Sequence, residues 1–149
     1  MSPEIIYQEE FPIEGGNFIN AGESSCRIRN ILKQIGIDSN VIRRVGIAAY
    51  EAEMNVVMYA RRGSIRLAVT AEKVFLRIED EGQGIPEIEQ AMQPGYSTAT
   101  TEMRELGFGA GMGLPNIKKN SDLFDISSTV GKGTRLDITI RCNGYGGNG

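Results

Sequence analysis

Residues 80–114 read DEGQGIPEIEQAMQPGYSTATTEMRELGFGAGMGL, a stretch punctuated by glycine and proline from end to end. It starts directly after the apolar run Val74–Glu79, so Asp80 is expected to project from the end of a strand. A carboxylate there can only accept hydrogen bonds, which suits an exocyclic amine such as that of adenine. Gly82 and Gly84 would let the backbone turn tightly, with Ile85 following, and lie against a flat base. At the far end, Gly107-Phe-Gly109-Ala-Gly111-Met112-Gly113-Leu114 places a glycine at every second residue and then enters a helix expected to run to Asn120. Free N–H groups ahead of a helix attract anions, and a backbone without side chains can approach a polyphosphate closely. Between the two lies the polar segment 93–106, rich in Ser and Thr and expected to act as a lid. Each piece has a plainer reading, a strand-to-helix turn for the first and a flexible loop for the second. No GxxxxGK[ST] occurs, and the literal GxGxxG at Gly144–Gly149 has no helix after it, so it reads as tail.

Outward from this stretch the chain resolves into regular elements. Residues 4–11 alternate weakly and read as an edge strand. A helix is expected from about Asn20 to Gly36, with Ile28, Ile31, Leu32 and Ile35 at helical spacing and Gly36 as its C-cap. A longer helix begins at Asp38 or Ser39 and is expected to reach Arg61, its core face formed by Val41, Val45, Ala48, Ala52, Val56 and Tyr59. Ser64–Thr70 and Val74–Glu79 read as a hairpin, Pro86–Met92 as a short helical piece, and Leu123–Ser128 and Thr134–Arg141 as a second hairpin around Gly131-Lys132-Gly133. This order predicts an α+β fold, a two-layer sandwich with helices on one face of a mixed, mostly antiparallel sheet.

On the long helix, Glu51 and Asn55 are four residues apart and share a face. Asn is a poor residue inside a helix, because its amide competes for the backbone. A carboxylate and a carboxamide on an otherwise apolar stripe need partners, and a hydrated metal with a phosphate would supply them. The alternative is a solvated Glu51 and an Asn55 bonded to a neighbouring loop. Arg104 and Lys132 are candidate phosphate contacts, or simply surface cations. Thr134 could present its hydroxyl to the same cleft if the second hairpin turn faces it.

Composition narrows the chemistry. The chain has 149 residues and no His, which removes imidazole bases, Ser-His-Asp systems and any phosphoacceptor histidine. Cys26 and Cys142 form no CxxC, so a zinc site is not expected, and neither Cys is given a role. A net charge of −3 argues against nucleic acid as a partner. Neither an apolar signal segment nor an 18-residue apolar run is visible, so a cytoplasmic protein without membrane association is expected. Residues 1–142 are expected to form one domain, with 143–149 (NGYGGNG) a disordered tail.

The ordered set, ExxxN on a helix, DxGxGI after a strand, a lid, GxGxGxG before a helix and then GKGT, resembles the GHKL ATP-binding (Bergerat-type) fold. The stretches AAYEAEMNVVMYA (48–60), DEGQGIPEIEQAMQPGYST (80–98) and GFGAGMGLPNIKK (107–119) are similar to the small anti-sigma-factor serine/threonine kinases, nearest to the stressosome switch kinases. That resemblance implies ATP and Mg²⁺ as ligands. Asn55 would hold the Mg²⁺ and Asp80 the adenine amine, while Gly82, Gly84 and Ile85 would frame the base. Gly109, Gly111, Met112, Gly113 and Leu114 would cradle the phosphates, Thr134 would sit near the adenine edge, and Glu51 would act as general base. It further implies a STAS-domain antagonist as the phosphorylated partner, a sigma factor or protein phosphatase as the output, and a homodimer as an option for the assembly. A binding module that holds ATP without transferring phosphate is the alternative, and an ATPase subunit of a larger assembly a second one.

Overall fold

Alternation of apolar and polar residues dictates the sheet. In a computed structural model, which describes residues 4–85, 88–93 and 113–142, β1 (Ile5–Glu14) is followed by α1 (Glu23–Ile35) and α2 (Ser39–Tyr59). The hairpin β2 (Ala60–Thr70) and β3 (Lys73–Gly82) comes next, then the single turn α3 (Ile88–Ala91), α4 (Gly113–Lys119) and a second hairpin, β4 (Leu123–Thr129) with β5 (Gly133–Arg141). The strands lie in the order β1-β2-β3-β5-β4. Every pairing among the described residues is antiparallel, which corrects the expectation of a mixed sheet.

Successive strand residues point to opposite faces. Phe11 and Ile13, Ile65, Leu67 and Val69, Val74, Leu76 and Ile78, and Leu136, Ile138 and Ile140 are therefore buried together beneath the helices. The opposite face carries ion pairs such as Arg66–Glu10 and Arg77–Asp137, exposed enough to contribute little to stability. From above, α1 contributes Ile28 and Leu32, α2 contributes Val41, Val45, Ala48, Ala52 and Val56, and α4 contributes Leu114 and Ile117.

Local signals set the helix ends. Asp38 caps α2 by accepting the N–H of Asn40. Gly36 ends α1 in the left-handed region (φ 96°), donating its N–H to Leu32 and Lys33. The expected apolar stripe of α1 holds at Ile28, Ile31 and Leu32, whereas Ile35 is 37% exposed at the helix end. Several boundaries differ from expectation. β1 continues to Glu14, and α2 stops at Tyr59 rather than Arg61, with β2 starting at once. Arg is a good helix former, but residues 60–63 are held by strand pairing on both sides, Glu14↔Arg62 and Ile13↔Gly63 with β1 and Arg62↔Glu81 with β3. Pairing outweighs propensities of a few tenths of a kcal/mol. The approach is close: a Cβ on Gly15 would lie 1.7 Å from the carbonyl oxygen of Ala60.

Candidate nucleotide site

Asp80 lies within β3 rather than beyond its end, because the β2 pairing continues to Ala60↔Gly82. It faces the helix layer, opposite Gly63, and its Oδ1 accepts the N–H of Thr134 at 3.1 Å. Burial pushes its carboxyl above the ordinary value, and the Thr134 N–H pulls it back only in part. Oδ2 has no hydrogen-bond partner among the described residues, so a half-buried acceptor is left for an incoming donor.

The turn after Asp80 is bolted to the second hairpin. The Ile85 N–H donates to Ser128 Oγ at 2.7 Å, the Gly131 N–H donates to the Gln83 carbonyl at 2.9 Å, and the Ser128 and Thr134 hydroxyls bond each other at 2.8 Å. Ser128 also reaches the Gly133 carbonyl at 3.1 Å. Gly84 has φ 78°, and a Cβ there would lie 2.5 Å from the Thr129 carbonyl oxygen. A Cβ on Gly133 would lie 1.9 Å from the carbonyl oxygen of Asp80. These glycines thus let three backbone segments converge on Asp80. Gly82 does the same against Ala60, whose Cα would be 3.0 Å from an added Cβ. Thr134 joins Asp80 through its backbone N–H, while its hydroxyl is engaged with Ser128, and Lys132 stays exposed in the same hairpin turn.

Glu51 and Asn55 sit half-buried on one face of α2, where α4 packs. Gly113, the first residue of α4, closes over them. A Cβ on it would be 3.3 Å from Asn55 Oδ1 and 3.7 Å from Glu51 Oε1, so both groups point at one spot. One turn on, Asn116 Nδ2 donates to Glu51 Oε2 at 3.1 Å. Leu114 turns its side chain into the core, leaving only its backbone to the site. Gly109, Gly111, Met112, Arg104 and the tail 143–149 lie outside the described residues, as does all of the expected lid except Gln93.

Sequence reasoning missed three contributors. Ser128 and Asn116 carry no motif, and both act across long stretches of chain. Glu53, only 3% exposed, accepts the N–H groups of Gly22, Ser24 and Ser25 at 3.0, 3.3 and 2.9 Å, and so caps α1 from α2. An acidic residue two positions from Glu51, on the buried side of an amphipathic helix, was the available signal for it. A cleft of about 500 Å³ also opens beside Gly15, Gly16, Phe18, Met58, Arg61 and Gln83, and it includes none of Glu51, Asn55 and Asp80.

No group of three or more His, Cys, Asp or Glu side chains among the described residues could hold a metal ion. Mg²⁺ needs no such cage, because it keeps several waters and is bound through one or two protein oxygens plus substrate phosphates. The oxygens of Asn55 and Glu51, converging beneath Gly113, fit that requirement.

Comparison with known proteins identifies the family. Residues 24–140 match the model of the family described as "Histidine kinase-like ATPase domain". The chain belongs to this family. Within it, the chain is 35% identical over 112 residues to the serine/threonine-protein kinase RsbT of Bacillus subtilis (strain 168), covering 72% of this chain and 78% of that one. It is 28% identical over 132 residues to the anti-sigma F factor of Thermoanaerobacter sp. (strain X514), covering 83% and 89%. Among solved structures, SiaB in the SiaB–SiaC complex from Pseudomonas aeruginosa superposes with a TM-score of 0.59 at 14% identity, over 91% of this chain and 89% of that one. The RsbU and RsbW domains of Rv1364c from Mycobacterium tuberculosis give 0.59 at 18% identity, over 89% of this chain but 32% of that longer one. At such identities the structures speak for the fold alone, which is the α+β, GHKL-type sandwich. A histidine kinase-like ATPase domain implies ATP as its ligand. No helix among the described residues is long and apolar enough to cross a membrane.

Proposed function

We propose that this ATPase-family protein is a Mg²⁺- and ATP-dependent serine/threonine protein kinase acting in partner switching in the cytoplasm. Its substrate is a STAS-domain antagonist, and phosphorylation of that antagonist changes the activity of a sigma factor or a protein phosphatase. The observation that carries this reading is the convergence of Glu51 and Asn55 beneath Gly113, with the acceptor Asp80 on the neighbouring strand layer. The similarity to RsbT, named a serine/threonine-protein kinase, supports it.

In this mechanism Asp80 Oδ2 accepts from the adenine amine and fixes the base, with Gly84 and the Thr134–Ser128 hydroxyl pair beside it. Asn55 would hold the metal that accompanies the phosphates, and Mg²⁺ there would supply charge neutralisation. Gly113, with Gly109, Gly111 and Met112 before it, offers backbone N–H groups to the phosphates. Glu51 accepts the proton of the incoming Ser or Thr hydroxyl as its oxygen bonds to the γ-phosphorus and the bond to the β-phosphate oxygen breaks, releasing ADP. Such a base contributes about 10²–10⁴-fold, and the remainder of the rate comes from positioning and electrostatics.

The similarity to anti-sigma F factors favours one second reading, a module that binds ATP and sequesters a sigma factor without transferring phosphate. Incubation with [γ-³²P]ATP and Mg²⁺, with and without STAS-domain proteins encoded nearby, separates the two. Label on one STAS protein supports the kinase. Tight ATP binding with no label on any of them favours the binding module, and failure to bind ATP overturns both.

A further inference from the structure

We infer that Asn116 is a positioning residue for phosphoryl transfer, selecting which oxygen of Glu51 meets the substrate hydroxyl. The inference rests on the kinase reading and goes beyond the residues that reading uses. Asn116 lies three residues beyond the last glycine of GxGxGxG and has no role in that motif, and a helix interior disfavours Asn unless its amide has a purpose. Here the purpose is visible. Asn116 is half-buried on the face of α4 turned toward α2, with Leu114 and Ile117 anchoring the helix in the core on either side of it. Its Nδ2 donates to Glu51 Oε2 at 3.1 Å. Only the nitrogen of that amide can donate to a carboxylate, so the orientation is set by chemistry.

The consequence falls on the other oxygen. With Oε2 engaged, Oε1 is the one near Gly113, 3.7 Å from where its Cβ would be, beside Asn55 Oδ1 at 3.3 Å from the same point. A glutamate has three rotatable side-chain bonds, and fixing it costs entropy that a hydrogen bond to its charged form offsets. Misplacement of a reacting group by 1 Å can cost about 10²-fold in rate. Asn116 also links the base to α4, whose first residue closes the phosphate end of the site. Glu51 and Gly113 are therefore tied to the same short helix.

The test measures single-turnover transfer to the STAS substrate and ATP affinity, in the full chain, for Asn116→Ala, Asn116→Gln, Glu51→Ala and the double variant Glu51→Ala/Asn116→Ala. Asn116→Ala is expected to slow transfer about 10-fold, within the range positioning commands, while ATP affinity stays within about twofold. Asn116→Gln, which keeps the amide donor, is expected to recover part of the loss. In the Glu51→Ala background, removing Asn116 is expected to change the residual rate no further, since its effect runs through Glu51. Transfer by Asn116→Ala at the wild-type rate overturns the inference and leaves the kinase reading standing. An equal loss in both backgrounds, or a parallel loss of ATP affinity, also overturns it, because that is the mark of a merely structural residue. A wild-type chain that labels no STAS protein overturns the kinase reading, and the inference with it.

Discussion

Asp80 answers to two opposing demands. Burial holds its carboxyl above the ordinary 3.8, with the Thr134 N–H only partly offsetting the shift. Between 3.8 and the raised folded value, the native chain keeps a proton that the unfolded chain has released. The stability Asp80 contributes is thus present below the unfolded value and lost as pH rises through the folded one. The proposed adenine recognition runs the other way, since only the ionised carboxylate is acceptor-only. ATP affinity is expected to fall on acidification at a pH above 3.8, and calorimetric titration across pH checks this. Asp80→Asn is expected to remove that dependence, leave thermal stability equal or higher, and weaken ATP by about 10- to 100-fold, the range of about 1.5–3 kcal/mol for a bond to a charged group. Retained affinity in that variant would remove Asp80 from base recognition. Glu53 is a different kind of carboxylate, buried to anchor α1 through three N–H groups. Glu53→Ala leaves those donors without it and is expected to cost about 2–4 kcal/mol of stability by urea unfolding. The places of Asp80, Glu51 and Asn55 were legible in the sequence, in a strand or by spacing on a helix, and the roles proposed for them came from the family resemblance. Asn116 and Glu53 were not legible, because their meaning lies in partners 65 and about 30 residues away.

At the scale of elements, the second hairpin does more than close the sheet. Its Ser128 and Thr134 hold the turn after β3, and its turn backbone accepts that loop at a distance no side chain would permit. Gly84→Ala combines a left-handed φ of 78° with a Cβ 2.5 Å from the Thr129 carbonyl oxygen. The left-handed conformation alone costs about 1–2 kcal/mol, and the clash must also move backbone. The variant is expected to lose at least that much thermal stability and to bind ATP more weakly. Wild-type behaviour on both counts would mean that the loop is not held against the hairpin. The glycine pattern of DEGQGI pointed to a tight turn here, and correctly. It did not reveal that the second hairpin is the surface the turn packs against, because register between distant strands leaves no local trace. The junction of α2 and β2 was misread for a related reason. Arg61 looks helical by propensity, yet it lies in β2, where its neighbour Arg62 pairs with strands on both sides.

For the whole molecule, the sheet supplies a floor and two of the helices place candidate residues above it. Asp80 and Thr134 rise from the floor, Glu51 and Asn55 descend from α2, and α4 closes one side through Gly113 and Asn116. Apolar alternation made this layering legible from the sequence, because each strand declares its buried face every second residue. On the proposed kinase reading, two functions of one site are separable, nucleotide binding through Asp80 and Asn55 and phosphoryl transfer through Glu51. The most direct measurement sets ATP affinity beside the rate of phosphoryl transfer to the STAS partner, in wild type and Glu51→Ala. Affinity is expected to stay unchanged within about threefold and transfer to slow by about 10²–10⁴-fold. Equal transfer rates in the two proteins, or ATP affinity lost along with transfer, would contradict that reading.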